Sequence, residues 1–170
     1  ILTRPELWVS LNTNMKFSSP LVCGHLMKRY KRFLADVTLM DGSKITARCP
    51  NTGSMKGLSD PGLKIWLSHA PTQGRKYPYT WELVDLPKGR KRTLVGINTA
   101  HPNTILAEAI SQQKILSLDG YADLRREVAY GQSSRIDLLL EDPKKGRAYV
   151  EIKNVHLMRT PGLAEFPDSK

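Results

Sequence analysis

Two hydrophobic spacings succeed each other along this chain. Between Met15 and Arg92, apolar and polar residues alternate in short runs, the two-residue period of half-buried strands. Phe33–Leu39 reads as one strand, Asp41-Gly42 as a hairpin signal, and Lys44–Cys49 as the returning strand. Pro50-Asn51-Thr52-Gly53 breaks the pattern. Pro61-Gly62 then opens Leu63–Leu67, and Tyr79–Val84 forms a further strand before a turn at Pro87–Arg90. Short strands with turns about every dozen residues point to a small barrel of OB type.

From residue 93 the spacing changes. Thr93–Ile97 reads as a short apolar strand opening the second half. Pro102-Asn103-Thr104 supplies helix-start chemistry, and Ile105, Leu106, Ala109 and Ile110 follow on one helical face, with Glu108 off its centre. After a turn at Asp119-Gly120 come strands at Arg126–Tyr130, Arg135–Leu140 and Ala148–Val155, the last two joined by the polar turn Glu141–Arg147. The expected fold is therefore mixed α+β: an OB-like domain over 15–92 and a second domain of helix and strands over 93–170. Met15 reads as an initiator, with 1–14 as an extension outside the fold. The stop after Phe166-Pro167-Asp168-Ser169-Lys170 reads as that of a fragment.

Charge divides the chain at the same place. Residues 15–92 carry 15 lysines and arginines against 5 acids, whereas residues 93–170 carry 10 of each, so the formal +10 belongs to the first half. The excess is clustered at Lys28, Arg29, Lys31 and Arg32, at Arg75 and Lys76, and at Lys88, Arg90, Lys91 and Arg92. Segregated positive charge of this kind is the electrostatic footprint of a polyanion partner. Seven of the twelve aromatic residues lie in the same half. Tyr30, Tyr77 and Tyr79, set among the cations, are candidates for stacking on bases; Phe33, Trp66 and Trp81 read as barrel core. Cys23 and Cys49 have no partner at ligand or framework spacing, which argues against structural zinc or a disulfide scaffold. Without a membrane-length apolar run or a signal-peptide pattern, the cytoplasm is the simplest expected location. The oligomeric state is left open.

Candidate chemistry lies in the neutral half. Asp137 is embedded in an apolar strand, and Glu151 and Lys153 stand two residues apart, on one face if the segment is a strand. Two carboxylates can hold Mg²⁺ or Mn²⁺ through oxygen. Such a metal polarises a phosphodiester and acidifies a bound water, and a neighbouring lysine can position that water or offset charge on the phosphoryl oxygens.

With these residues in view, Lys31-Arg32-Phe33-Leu34-Ala35-Asp36-Val37, Cys49-Pro50-Asn51-Thr52-Gly53-Ser54-Met55, Arg75–Leu83, Ser134-Arg135-Ile136-Asp137 and Val150-Glu151-Ile152-Lys153-Asn154-Val155 resemble the successive signatures of the sugar fermentation stimulation protein family. The resemblance runs from residue 15 to residue 168. It implies an N-terminal OB-like domain, a PD-(D/E)xK nuclease-like second domain that lacks its last part here, non-specific DNA binding, and a link to regulation of maltose metabolism. By this resemblance Asp137, Glu151 and Lys153 fall on the nuclease core motif, with Asp137 and Glu151 as metal ligands. Glu108 matches the helix acid, and Glu127 is a weaker competitor. Two other readings stand beside a DNA-binding protein with a nuclease-like site: a DNA-binding regulator without catalysis, and an RNA- or ribosome-associated module.

Overall fold

The computed structural model describes residues 16, 17, 19–70, 76–88, 91–160 and 162–166. Alternation builds the first strands. In β2 (Leu34–Leu39), Ala35, Val37 and Leu39 are buried; in β4 (Lys64–His69), Ile65 and Leu67 are buried between half-buried Lys64, Trp66 and Ser68. β1 (Val22–Tyr30) turns Leu26 inward, β3 (Lys44–Arg48) turns Ala47 inward, and β5 (Tyr79–Lys88) contributes Trp81 and Val84. These side chains meet in one core with Cys49, Met55, Leu58 and Ile97.

Pairing closes the sheet on itself. β1 runs antiparallel to β2 and β4, β2 to β3, and β4 to β5, while β3 and β5 pair in parallel. The resulting ring of five strands has OB connectivity. Closure needs bends, and the ladders slip by one residue near Met27 in β1 and near Glu82 in β5, as bulges do. It also needs close approach: a Cβ on Gly24 would stand 2.7 Å from Val37 Cγ1 and 2.8 Å from Thr38 O, so only glycine fits. Glu82 is buried, its carboxylate accepting from Ser68 Oγ (2.6 Å) and Asn98 Nδ2 (2.7 Å), which offsets the cost of enclosing a charge.

β6 (Lys91–Gly96) forms a hairpin with β5 from Lys88↔Lys91 to Leu83↔Gly96. The apolar strand expected to open the second half therefore extends the barrel's sheet. The chain divides into two compact units, Phe17–Ala100 with the segment beginning at Asn154, and His101–Lys153. The division falls after Ala100, not after Arg92.

In the second unit α1 (His101–Ser111) starts with Pro102 in its first turn, where the missing N–H costs nothing. Its Leu106, Ala107 and Ile110 pack on Leu138 and Leu140 of β8 (Ser134–Asp142), the central strand between β7 (Asp123–Tyr130) and β9 (Gly146–Val150). The β8–β9 hairpin is tighter than the turn expected. Asp142 pairs with Gly146, whose φ of 79° suits glycine, and Asp142 Oδ1 accepts the N–H groups of Lys144 (2.8 Å) and Lys145 (2.9 Å). β9 ends at Val150, so Glu151 and Lys153 lie beyond the ladder and not within a strand running to Val155.

Candidate functional site

Register gathers the basic and aromatic residues of the barrel. Leu34 at the start of β2 pairs with Arg48 at the end of β3, and Arg48 pairs with Thr80 at the start of β5. The β1–β2 turn, the loop after Cys49 and the entry to β5 thus share one end of the barrel. Lys31 and Arg32 lie in that turn, Lys76 and Tyr77 on the approach to β5, and Tyr79 begins β5; Lys28 and Arg29 precede the turn on β1. These are the loops an OB fold uses for oligonucleotides. Arg75 lies outside the described residues.

The cations there do different work. Arg29 donates to the carbonyls of Arg32 (2.8 Å), Asn51 (2.9 Å) and Gly53 (2.9 Å), and Arg32 Nε donates to Thr52 O (2.8 Å). Both guanidinium groups fasten the Asn51–Gly53 loop to the turn. Lys28 pairs with Asp36 at 3.4 Å and lies 5.2 Å from the Tyr30 ring centre, while Lys76 lies 5.5 Å from that of Tyr77. Lys31, Arg32, Arg48 and Lys76 are exposed. Tyr79 stacks on His69 with ring centres 4.5 Å apart and packs against the core, so its face is already in use. Trp81 is fully buried as expected, Trp66 is half-buried under Lys64, and Phe33 is not core: it is 50% exposed at the tip of the turn.

Asp36 carries the charge balance beside this end. Partial burial pushes its carboxyl up, but hydrogen bonds from Thr46 and Tyr30 and the Lys28 ammonium outweigh this and hold it below the usual aspartate range. A folded-state value below the unfolded one stabilises the fold above about pH 3.9, and that stability is lost as pH falls through the lowered value. Thermal unfolding scans from neutral pH into this acid range should therefore show Asp36→Asn losing less midpoint than the parent chain. Parallel curves would exclude this assignment.

The second unit aligns three carboxylates. Arg126 pairs with Leu138 and Val128 with Ile136, which sets Glu127 opposite Asp137. Leu138 pairs with Val150, the last residue of that ladder, and the Ile152 N–H then donates to Asp137 Oδ2, which brings the 151–153 segment beside Asp137. Glu127 takes φ of 52°, a left-handed conformation that costs a non-glycine residue about 1–2 kcal/mol. Like charges directly opposite each other in a sheet repel. Donors around the row offset this: Asn103 Nδ2 gives one hydrogen to Glu127 Oε1 (3.0 Å) and one to Asp137 Oδ1 (2.9 Å), and Ile152 N–H donates to Asp137 Oδ2 (2.6 Å). Lys153 pairs with Glu151. Arg135 reaches the carbonyl of Glu127 at 3.3 Å, and Arg126 the hydroxyl of Thr104 at 3.1 Å.

Asp137, Glu151 and Lys153 are thus neighbours. Glu108 takes a different place: its carboxylate accepts from Gln112 (3.0 Å), one turn on. Five residues along α1 from Asn103, it lies about 140° round the helix from that amide. Asn103 is the group that sequence reasoning missed, because an asparagine beside Pro102 reads first as a helix start. Only the β7–β8 register reveals it.

Among the described residues, no three acid, histidine or cysteine side chains lie close enough to hold a metal ion as they stand. The donor types nonetheless suit a hard divalent cation. Asp137 and Glu127 offer oxygen to the two hydrogens of one neutral amide, a position where positive charge is favoured, and Glu151 adjoins them.

Comparison with known proteins agrees with this arrangement of barrel and α/β unit. Residues 27–97 match the family model described as SfsA N-terminal OB domain, and residues 100–170 match the sugar fermentation stimulation protein RE domain. Sugar fermentation stimulation protein homologs of Rhodospirillum centenum and Brucella ovis are each 58% identical, over 154 and 155 residues, which is 91% of this chain and 64% and 63% of theirs. The structure of Pyrococcus furiosus SfsA in complex with Ca²⁺ superposes with a TM-score of 0.75 at 26% identity, over 92% of this chain and 63% of that one. The chain therefore spans a little under two thirds of the relatives it matches. No helix among the described residues is long and apolar enough to cross a membrane. With an OB barrel followed by an α/β unit, each matched by its own model in the expected order, the chain belongs to the sugar fermentation stimulation protein family.

Proposed function

We propose that this chain binds DNA without sequence specificity through the basic end of its barrel, and that the acid row of its second unit belongs to a PD-(D/E)xK-type site for Mg²⁺ or Mn²⁺. The observation that carries the first part is the convergence of the exposed cations Lys31, Arg32, Arg48 and Lys76 at one barrel end. The second part rests on Asp137 flanked by Glu127 and Glu151, with Lys153 beside it, and on a Ca²⁺ complex of the related archaeal protein.

In this reading Asp137, Glu151 and Glu127 hold the cation. A bound cation would supply polarisation of the phosphodiester and acidify a nearby water. Lys153 supplies positive charge next to Glu151 to meet charge developing on the phosphoryl oxygens. Asp137 fixes the 151–153 segment by accepting the Ile152 N–H, so it positions Glu151 and Lys153 as well as offering a ligand.

A non-catalytic regulator remains the second reading, favoured by carboxylates already engaged with Asn103, Ile152 and Lys153. Titrating duplex DNA at several salt concentrations, with plasmid incubated in parallel with and without Mg²⁺ or Mn²⁺, tests both. About four phosphate contacts predict a fall in affinity of roughly two orders of magnitude between about 50 and 200 mM salt. A salt-independent affinity would refute the basic interface, and binding without metal-dependent nicking would select the regulator.

A further inference from the structure

Phe33 is the large apolar residue at the basic end of the barrel that the core does not use; half of its surface is exposed. The turn that carries it is strained and firmly held. Lys31 and Arg32 both adopt left-handed backbone, φ 49° and 64°, a conformation that residues other than glycine rarely take. Hairpin turns commonly give such positions to glycine, asparagine or aspartate. Here three hydrogen bonds fix the turn instead: Arg29 to the Arg32 carbonyl (2.8 Å), Arg32 Nε to the Thr52 carbonyl (2.8 Å), and Cys49 N–H to the Phe33 carbonyl (2.7 Å). An aromatic ring held out on a rigid turn has already given up the conformational freedom that a ligand would otherwise have to remove.

Its surroundings specify the ligand. Lys31 and Arg32 precede it, and Arg48 pairs across from the adjacent Leu34. Of the five carboxylates between residues 15 and 92, Glu82 and Asp85 are buried, Asp36 is engaged by Lys28, Tyr30 and Thr46, Asp41 sits on the β2–β3 turn beyond the opposite ends of those strands, and Asp60 lies in the loop that enters β4, two residues before Gly62, whose N–H donates to the Leu26 carbonyl. A flat apolar face among cations fits a flat, π-bearing group on a polyanion. In duplex DNA those faces are covered by neighbouring pairs and exposing one requires breaking its pairing and stacking; in a single strand they are open.

We propose that Phe33 is a stacking platform for an unpaired base, so that this end of the barrel takes single-stranded DNA in preference to duplex. The inference rests on the DNA-binding reading above and narrows its substrate class. The test measures affinities of the chain and its variants for an oligothymidylate of about fifteen nucleotides and for a duplex of the same length. The parent chain should favour the single strand. Phe33→Ala should weaken single-strand binding by roughly tenfold, as loss of one stacked base does, and leave duplex binding within about twofold because phosphate contacts remain. Phe33→Leu, which keeps apolar bulk but no π face, should behave like the alanine variant. Phe33→Trp should keep the affinity and lose indole emission on binding. Equal loss on both ligands, no loss on the single strand, or parent preference for duplex would overturn the proposal while leaving the DNA-binding reading intact. A parent chain that binds neither ligand would overturn both.

Discussion

On the proposed nuclease-like reading, Asp137→Ala should reduce divalent-cation-dependent cleavage of plasmid DNA by more than about a hundredfold, because losing a metal ligand would remove several kcal/mol of transition-state stabilisation. Two functions are lost together: an oxygen ligand in the middle of the acid row, and the acceptor that ties down the Ile152 N–H between Glu151 and Lys153. Asp137→Asn keeps an acceptor for that N–H and separates the two, so it should retain the segment's position but not the cation. Calorimetric titration with Mn²⁺ reads the binding loss directly, without reliance on turnover. Glu108→Gln is the contrasting variant. Its carboxylate bonds to Gln112 on a different side of α1, and its cleavage should stay within about threefold of the parent, the range of context effects that non-ligand polar changes produce. Cleavage abolished in Glu108→Gln and retained in Asp137→Ala would reverse the assignment.

Trp81→Ala should cost the barrel about 3–5 kcal/mol, the range for deleting a buried tryptophan. The indole is completely enclosed, faces Leu67 across the β4–β5 ladder next to the bulge, and donates its Nε1 hydrogen to Leu83 O at 3.0 Å. That loss is a large share of a small domain's total stability. Urea unfolding of Trp81→Ala and Trp81→Phe gives the measurement; a cost below about 1 kcal/mol for the alanine variant would show that the barrel does not close around this side chain. Single-strand binding should fall with the folded fraction in Trp81→Ala, whereas in Phe33→Ala it falls while the unfolding curve is unchanged.

The barrel could be read from the sequence where its strands alternate cleanly. Asp41-Gly42 marks the β2–β3 hairpin, and Ile65 and Leu67 mark β4. β1 escaped because the bulge near Met27 shifts the phase of its inward positions and a glycine, Gly24, takes one of them. The last strand reads longer than it is for a different reason. Val150, Ile152 and Val155 look like a continuing apolar run, but the Ile152 N–H leaves the ladder for the Asp137 carboxylate. Phe33 reads as core beside Leu34 and Ala35; the left-handed turn places it outside. In the acid row Asp137, Glu151 and Lys153 were visible as residue types. The partnership of Glu127 and Asn103 with them depends on register and on one distorted strand residue, neither of which is written in spacing.

The fastening of the Asn51–Gly53 loop by Arg29 changes what charge means at this surface. Three backbone carbonyls from two segments converge on one guanidinium nitrogen, Nη2, and an ammonium on a flexible stem does not hold that place as a planar guanidinium does. A lysine at position 29 would preserve the electrostatic sum of the domain and dissolve the scaffold beneath it. Some of the positive charge at this end of the barrel is masonry: it shapes the surface on which the remaining cations act.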